Sequence, residues 1–469
     1  MSDALEKRIK KHIIGKPHRF LAISPLGFEQ TLARELDCIL GESATELSHV
    51  TGDGKVEFTT KLTEAWKAVA ISRIANRVLM EVASFKAENF RELEKKASEI
   101  PWELYLDANV YPSRARDPVK FTNALNIHVT CKHSRLYHSD AIAERLYNVI
   151  AQSNIPQSEA NSEGKARPHT PKPDSSGDPI PQNLYVNFLD DRCTIWLDLA
   201  GEELYKRGFE RFVNDAPLKE TIASAMIFEA FHFLPSTSCC LLDLMSGSGT
   251  FSLESACIAN KIIPGTCRDF ALKHQPAFKE ATWNFITRSV TLNEVKGPVK
   301  SCNATKHPII AKIITSDISE RAVNIIKHNI ECSPLAQIAP NENTPTIYPQ
   351  LRDFFSYTAK EIVDACDDAS PILVLNPPYG KRLDFDAPKL YTQIGKKLTE
   401  LARDLRNLGK SLTVAILAPK DDTRDGAKYT CTANLLRECP ALSPEHTPTT
   451  KVIQTSHGGF SLNAFFATI

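Results

Sequence analysis

A short run in the second half of the chain has the residue types needed to hold an amine beside an electrophile. Residues 372–375 are apolar and rich in β-branching, which predicts a buried parallel strand. The strand ends in four residues, Asn376, Pro377, Pro378 and Tyr379. The side-chain oxygen of Asn376 and the main-chain oxygen of Pro377 could accept the two hydrogens of one exocyclic amine. Tyr379 could stack on the base that carries the amine. An ordinary strand-to-loop turn is the alternative.

A second pattern, upstream of this corner, could bind the donor of a transferred group. An apolar run ends at Asp243 and leads into a loop with Gly247 and Gly249, before a predicted helix over 251–259. Glycines after a strand let a ligand approach the backbone, and a helix N-terminus favours polar or charged groups. No lysine follows the glycines, which argues against a phosphate-binding P-loop.

A third element is the acid at the end of the next predicted strand. Residues 313–316 lead to Asp317, and a helix is predicted after it. An acid at this position suits hydrogen bonds to the hydroxyl groups of a ribose. The order of glycine loop, acid and Asn-Pro-Pro-Tyr corner indicates a nucleoside-bearing methyl donor beside an amine acceptor.

The C-terminal half resembles class I S-adenosylmethionine-dependent methyltransferases that act on exocyclic amines of nucleic-acid bases. More narrowly, residues 201–209 (Gly-Glu-Glu-Leu-Tyr-Lys-Arg-Gly-Phe) and 216–221 (Ala-Pro-Leu-Lys-Glu-Thr) are similar to the THUMP-containing guanine-N2 RNA methyltransferases. Bacterial members of that family often methylate 23S rRNA. The family usually has Pro and Cys in the glycine loop where this chain has Leu244 and Ser246.

The resemblance implies an α/β protein with a Rossmann-like class I methyltransferase domain, preceded by an α+β ferredoxin-like/THUMP RNA-binding module. We expect a ferredoxin-like unit over 1–75, a THUMP domain over 76–200 and the methyltransferase domain over 215–469. A loop over 154–182, rich in Pro, Ser and Gly, is expected to be disordered. An insert over 262–312 is expected to form a helical subdomain over the cofactor mouth or, as the simpler alternative, to fill a local core.

The resemblance also implies the cofactor, S-adenosyl-L-methionine, and the residues that hold it. Asn376, Pro377, Pro378 and Tyr379 are expected to be the catalytic residues. Residues expected near the methionine end, ribose and adenine of the cofactor are Pro217, Lys219, Glu220, Thr221, Asp243, Gly247, Ser248, Gly249, Thr250, Asp317, Asp353 and Phe354.

Basic residues interleaved with aromatic ones in the first half are typical of nucleic-acid surfaces. The predicted RNA-binding residues are Arg114, Arg116, Lys120, Lys132 and Arg135. A solvated basic face is the alternative, because charged residues are scattered over most protein surfaces.

Composition limits the remaining possibilities. The 469 residues include 56 basic and 56 acidic side chains, so no global field attracts nucleic acid. The twelve cysteines lack paired CxxC spacing, so we predict no metal site and a reducing, cytoplasmic location. No apolar stretch is long enough to span a bilayer, and no membrane partner is expected. A monomer is favoured.

These patterns predict an S-adenosylmethionine-dependent enzyme that methylates the N2 amine of a guanine in structured RNA. Large-subunit (23S) rRNA is the expected substrate, and tRNA is the first alternative. An N6-adenine DNA methyltransferase shares the Asn-Pro-Pro-Tyr arrangement, although the THUMP-like half argues against it. A non-catalytic RNA chaperone is a further alternative, which the intact Asp243, Asp317 and Asn376 disfavour.

Overall fold

The computed structural model describes most of the chain. The described residues are 3–43, 46–107, 125–153, 181–213, 217–293, 308–338, 345–379, 386–421 and 430–469. Three predicted RNA-binding residues, Arg114, Arg116 and Lys120, and nearly all of the loop 154–182 lie outside the described residues. Within the described ranges the chain forms two seven-stranded sheets with helices packed against them.

The first sheet is built by the N-terminal half of the chain. Its strands are β1 (Pro17–Ile23), β2 (Glu46–Gly52), β3 (Lys55–Lys61), β4 (Arg77–Lys86), β5 (Leu125–Lys132), β6 (Gln182–Leu189) and β7 (Arg192–Asp198). They lie in the order β2-β3-β1-β4-β7-β6-β5. The helices of this half are α1 (Asp3–Ile9), α2 (Glu29–Leu40), α3 (Leu62–Ile71), α4 (Phe90–Ser98) and α5 (Ser139–Gln152).

Strand β4 joins the two parts of this sheet. It pairs antiparallel with β1, where Met80 lies opposite Phe20, and with β7, where Phe85 lies opposite Cys193. The sequence analysis predicts neither β4 nor β2, and it places a ferredoxin-like unit beside a separate THUMP domain. In the structure, the strands of both predicted units belong to one continuous sheet. The predicted boundary between residues 75 and 76 falls just before β4 and stays a prediction.

The second sheet is built by the C-terminal half of the chain. Its strands are β8 (Ser238–Asp243), β9 (Ile309–Asp317), β10 (Gln350–Leu351), β11 (Ser370–Leu375), β12 (Thr413–Pro419), β13 (Lys451–His457) and β14 (Phe460–Thr468). They lie in the order β10-β9-β8-β11-β12-β14-β13. The helices of this half are α6 (Glu220–Phe231), α7 (Thr250–Ala259), α8 (Glu280–Asn293), α9 (Glu320–Cys332), α10 (Ala359–Cys366), α11 (Ala387–Asn407) and α12 (Cys431–Glu438).

The arrangement of the second sheet determines where a ligand can bind. Strands β10, β9, β8, β11 and β12 are parallel, whereas β14 runs antiparallel between β12 and β13. The carboxyl ends of the parallel strands therefore meet at one edge, where open α/β sheets bind their ligands. This is the predicted Rossmann-like arrangement. Strand β13, the antiparallel partner of β14, is not predicted from the sequence.

The two halves share one hydrophobic core. Phe28, which precedes α2, meets Phe466 of β14 with ring centroids 6.5 Å apart. Trp66 of α3 lies 5.6 Å from Phe278 of the 262–312 segment, and Phe278 packs in turn near Trp283 of α8. Phe270, Phe278 and Trp283 of that segment therefore fill a core between the halves, in agreement with the simpler of the two expectations, whereas Phe285 is exposed. The last residues of the segment belong to β9.

Two buried acids add polar contacts between the halves. Glu229 of α6 accepts from Thr31 Oγ1 at 2.7 Å and from Arg34 at 2.6 Å, both in α2. It also accepts from Lys451 at 2.6 Å. Buried charges persist where several partners compensate the lost hydration, so this cluster fixes how α2 sits on α6.

The second buried acid is Glu254 of α7. Its carboxylate accepts from Arg207 Nε and Nη2, each at 3.0 Å, and from Ser224 Oγ at 2.6 Å. Arg73, from the N-terminal half, lies 3.4 Å away, and Arg207 also donates to the main-chain oxygen of Arg73 at 2.9 Å. Glu254 therefore links the loop after α3 to the segment before α6.

Candidate active site

The side chain of Asn376 stands directly after β11, at the carboxyl edge of the parallel strands. Residues 372–375 are fully buried, which fixes the end of the strand. The Oδ1 atom of Asn376 is buried and has no hydrogen-bond partner among the described residues. A buried acceptor without a donor is costly, and in native proteins it calls for a missing partner. The amide is therefore poised to accept a hydrogen bond from a ligand.

An aromatic pair forms one wall of this corner. Tyr379 meets Phe460 edge to face, with ring centroids 5.9 Å apart. Burial raises the pKa of Tyr379, so its side chain is a neutral phenol at physiological pH. Phe460 begins β14 and lies opposite His457, across a turn made of Gly458 and Gly459. The sequence analysis missed this hairpin, although a Gly-Gly pair between two strand-like runs is a hairpin signal.

His457 connects the hairpin to the segment before α6. Its Nε2 atom lies 2.9 Å from the main-chain oxygen of Pro217, so Nε2 carries the hydrogen because a carbonyl can only accept. Burial lowers the pKa of His457, which favours the neutral ring with Nδ1 as an acceptor. That Nδ1 atom is buried without a partner among the described residues. Like Asn376, the hairpin thus carries a buried acceptor that the described residues leave unpaired.

The glycine loop after β8 has the backbone that its residues require. Gly249 has φ +76°, and a Cβ there would lie 2.9 Å from Cγ1 of Ile326, so the loop can approach α9 only with glycine. Gly247 has φ +55° and open space where a Cβ would point. Its N–H donates to Oδ2 of Asp317 at 2.8 Å. Gly247 and Asp317 therefore lie side by side, with room for a ligand in front of the loop.

Asp243 lies beneath this loop. It is 1% exposed, and its Oδ2 accepts from the N–H of Ser252 at 3.1 Å and from Ser252 Oγ at 2.7 Å. Ser252 Oγ lies 2.7 Å from Oγ1 of Thr315 in β9. These contacts position the start of α7 against β8 and β9. Burial raises the pKa of Asp243 to about 7, and the nearby charge of Asp317 adds to this effect.

We expect Asp243→Asn to flatten the pH dependence of stability. In the unfolded chain this carboxyl titrates near pH 4, so between about pH 4 and pH 7 the folded chain holds a proton that the unfolded chain has lost. This contribution therefore makes the free energy of unfolding fall as pH rises through that window. Asparagine keeps the acceptor oxygen but does not titrate.

Urea unfolding at several pH values checks this expectation. Asp364→Asn, at an exposed position in α10, is the matched control and should follow the wild type. A profile of Asp243→Asn that is parallel to the wild type across this pH window would contradict the proposed protonation.

Arg211 is a residue near the loop that the sequence analysis missed. It forms an ion pair with Glu220 and donates to Thr250 Oγ1, and its Nη2 lies 3.4 Å from Ser248 Oγ. Its side chain is 10% exposed, and the buried Nε–H has no partner among the described residues. Its position two residues after the 201–209 motif is the available sequence signal. Arg211 thus places a positive charge beside three predicted cofactor-binding residues.

Three other predicted cofactor residues contact protein groups in the structure. Thr221 is fully buried, and its hydroxyl donates to Asn76 Oδ1 of the N-terminal half at 2.8 Å. Nζ of Lys219 lies 4.4 Å from the ring centroid of Tyr205. Phe354 is 2% exposed and belongs to the core on the other side of the sheet. The roles of these three residues in binding the cofactor stay predictions.

Asp353 begins the turn that follows β10. Its Oδ1 accepts from the N–H of Phe355 at 3.0 Å, which caps this turn. The preceding residue, Arg352, donates its N–H to the main-chain oxygen of Asp317 at 3.0 Å, so the ends of β9 and β10 are joined. Asp353 thus lies at the same sheet edge as Asp317.

Two predicted RNA-binding residues are described, and both are exposed near the end of β5. Arg135 forms an ion pair with Glu88 and lies 3.8 Å from Asp191, so two acids share its charge. Lys132 is the last residue of β5. Their role in RNA binding stays a prediction.

Comparison with known families identifies the C-terminal half. Residues 207–420 match a family model described as an RMKL-like methyltransferase domain, and residues 19–79 match an RlmL ferredoxin-like domain. The predicted family, mixed α/β fold and cofactor, S-adenosyl-L-methionine, are thereby confirmed. The open space at Gly247 and the carboxylate of Asp317 fit that cofactor.

Relatives of the RMKL-like methyltransferase domain extend the comparison over most of the chain. The chain is 28% identical over 389 residues to "Ribosomal RNA large subunit methyltransferase K/L" of Allochromatium vinosum, covering 82% of this chain and 46% of that protein. It is 26% identical over 388 residues to "Putative RNA methyltransferase YpsC" of Bacillus subtilis, covering 82% of this chain and 86% of that protein. The chain therefore spans about half the length of the first relative.

A solved structure shares the fold of both halves. The putative methyltransferase SMU.472, complexed with SAH, superposes with a TM-score of 0.64 at 21% identity, over 96% of this chain and 98% of that one. Among the described residues, no helix combines the length and the apolar character that crossing a membrane requires.

Proposed function

We propose that this protein transfers a methyl group from S-adenosylmethionine to the exocyclic N2 amine of a guanine in structured RNA. The observation that carries the proposal is the buried Oδ1 of Asn376 at the end of β11, which no described residue pairs with. The substrate class is supported by the names of the relatives, an rRNA and a putative RNA methyltransferase. Large-subunit rRNA is the first substrate to test.

Three features of the chain suit the cofactor. S-adenosylmethionine supplies an electrophilic methyl group. The open backbone at Gly247 allows close approach, and the carboxylate of Asp317 beside it is an acceptor for ribose hydroxyls. The Nε–H of Arg211, which has no acceptor within the described parts of the chain, is a donor suited to a carboxylate such as that of the methionine end.

Asn376 and Pro377 prepare the amine for attack. The lone pair of an aryl amine is delocalised into its ring, so the nitrogen is a poor nucleophile. Two acceptor oxygens that hold its hydrogens increase the electron density on the nitrogen and direct its lone pair away from the ring. These dipoles are fixed by the strand end, so they need little reorganisation during the reaction.

Tyr379 and Phe460 form the side of the site where the base would lie. The guanine must leave its stack to reach this corner, and aromatic contacts offset part of that cost. Holding donor and amine together then replaces a bimolecular encounter with an aligned one. The chain therefore contributes alignment, oriented acceptors and exclusion of water.

A methylation assay tests this proposal. The full chain is incubated with tritiated donor and deproteinised RNA that is separated into rRNA and tRNA, and the products are digested to nucleosides. We expect label in N2-methylguanosine from large-subunit rRNA, and a much lower initial rate of labelling with Asn376→Ala. Label in tRNA alone would replace the rRNA substrate, label in N6-methyladenine would overturn the guanine assignment, and no label in any fraction would contradict the activity.

We expect Phe460→Ala to lower kcat/KM for RNA by about tenfold, because stacking of a base on an aromatic side chain contributes roughly 1–3 kcal/mol. Donor affinity, measured by calorimetry, should change little. Phe285→Ala is the control, since Phe285 lies in α8 and is 72% exposed. Equal kcat/KM values for Phe460→Ala and the wild type would remove Phe460 from the base-binding site.

A further inference from the structure

Three potential metal ligands from two distant segments lie together outside the catalytic corner. Glu210, His328 and Cys332 each offer one ligand atom, and these atoms all lie within 4.8 Å of one another. Nε2 of His328 is 3.4 Å from Sγ of Cys332. With Zn–S near 2.3 Å and Zn–N near 2.0–2.1 Å, two ligands at a tetrahedral angle would lie about 3.5 Å apart. The pair therefore already has the spacing that zinc requires.

Contacts that need no metal hold these ligands in place. His328 and Cys332 are four residues apart in α9, so they lie on one face of the helix. Asn329 of α9 fixes the segment that contains Glu210. Its Oδ1 accepts from the N–H of Phe212 at 2.8 Å, and its Nδ2 donates to the main-chain oxygen of Phe212 at 2.9 Å. The ring of Phe212 stacks on His328 with centroids 3.8 Å apart. Glu210 is thus held beside the helix.

We propose that Glu210, His328 and Cys332 bind a zinc-type divalent cation, with solvent completing the coordination. Imidazole and thiolate ligands select zinc over magnesium and calcium, which prefer all-oxygen sites. Binding requires the Cys332 thiolate, so the thiol proton passes to solvent when the cation binds. Thiolate and carboxylate together balance the two positive charges of the ion.

The site has a structural consequence near the cofactor loop. Arg211, the neighbour of Glu210, contacts Thr250 and Ser248. A cation shared by Glu210 and α9 would tie the Arg211 segment to the helix, so binding stabilises the folded chain by mass action. The sequence analysis predicts no metal site because the cysteines lack paired CxxC spacing, and Glu210 is far from His328 and Cys332 in the sequence.

Cobalt and zinc titrations of the reduced, chelator-treated full chain test this site. We expect one equivalent of Co²⁺ to give the absorption of a tetrahedral ion with a thiolate-to-cobalt band, and Zn²⁺ to displace it. Cys332→Ser should remove the thiolate band. His328→Ala and Glu210→Gln should weaken binding by at least about tenfold, because loss of even an outer-shell partner commonly costs 10–100-fold. Cys267→Ser, at an exposed cysteine outside the cluster, is the control.

Several results would overturn the site. They are the absence of a thiolate band in the wild type, a band that survives Cys332→Ser, and a band that Cys267→Ser removes. Melting of the metal-free variants shows whether they are folded. Zinc should raise the Tm of the wild type but not that of Cys332→Ser, and an equal rise in both would also contradict the assignment.

Discussion

Asn376→Ala is expected to lower kcat by about a hundredfold or more, because loss of one oriented hydrogen-bonding group at a reacting centre typically has this effect. Its Oδ1 has no partner among the described residues, so the substitution removes no hydrogen bond seen in the structure. Folding and donor affinity should therefore change little. Single-turnover methylation of RNA measures the rate, and calorimetry measures donor affinity.

Asn376→Asp is the matched variant for this expectation. It keeps an acceptor oxygen in the same place but replaces the amide by a carboxylic acid, so it should retain more activity than alanine. A variant Asn376→Ala that loses donor affinity and keeps its turnover would assign this side chain to the cofactor rather than to the amine.

Glu254→Ala is expected to lower the free energy of unfolding by about 3–5 kcal/mol, since removal of one partner leaves a buried charge uncompensated. The side chain of Arg207 is 4% exposed and that of Glu254 is 5% exposed, so water cannot replace the lost contacts. Ser224 would also lose the acceptor of its hydroxyl group. The midpoint of urea unfolding measures the loss.

Two further variants make this measurement specific. Glu331→Ala, at an exposed position in α9, should change stability by less than about 0.5 kcal/mol. Arg207→Met in the Glu254→Ala background should recover part of the loss, because it removes one unpaired buried charge. A single variant Glu254→Ala as stable as the wild type would show that Arg207 and Arg73 find other compensation.

The parts predicted from sequence are those whose signals are local. The apolar run 372–375 followed by two prolines predicts a strand end wherever it occurs, and the Gly247 and Gly249 loop predicts a strand-to-helix turn. Strand β4 was missed because most of its second half is only partly buried on both faces, so its sequence lacks clean alternation. Strand β13 was missed for a similar reason, because buried and exposed residues alternate over only a few of its positions.

Contacts between residues distant in the chain could not be read from the sequence. His457 meets Pro217, and Glu254 meets Arg73, only because the sheets bring these segments together. Thr221 shows that a motif does not determine the contacts of its side chains. The 216–221 motif includes this residue, but its hydroxyl donates to Asn76 of the N-terminal half, which the motif does not predict.

The continuous core between the halves has a consequence for how a target nucleotide would be selected. Aromatic contacts and buried ion pairs fix the N-terminal sheet on the methyltransferase domain. If that sheet binds an RNA helix, the distance from its RNA-binding surface to Asn376 is constant. Only a guanine whose separation from the bound RNA helix, in base pairs, equals this distance would reach Asn376. Selection of the target guanine would then depend on its distance along the RNA rather than on the nucleotide sequence around it.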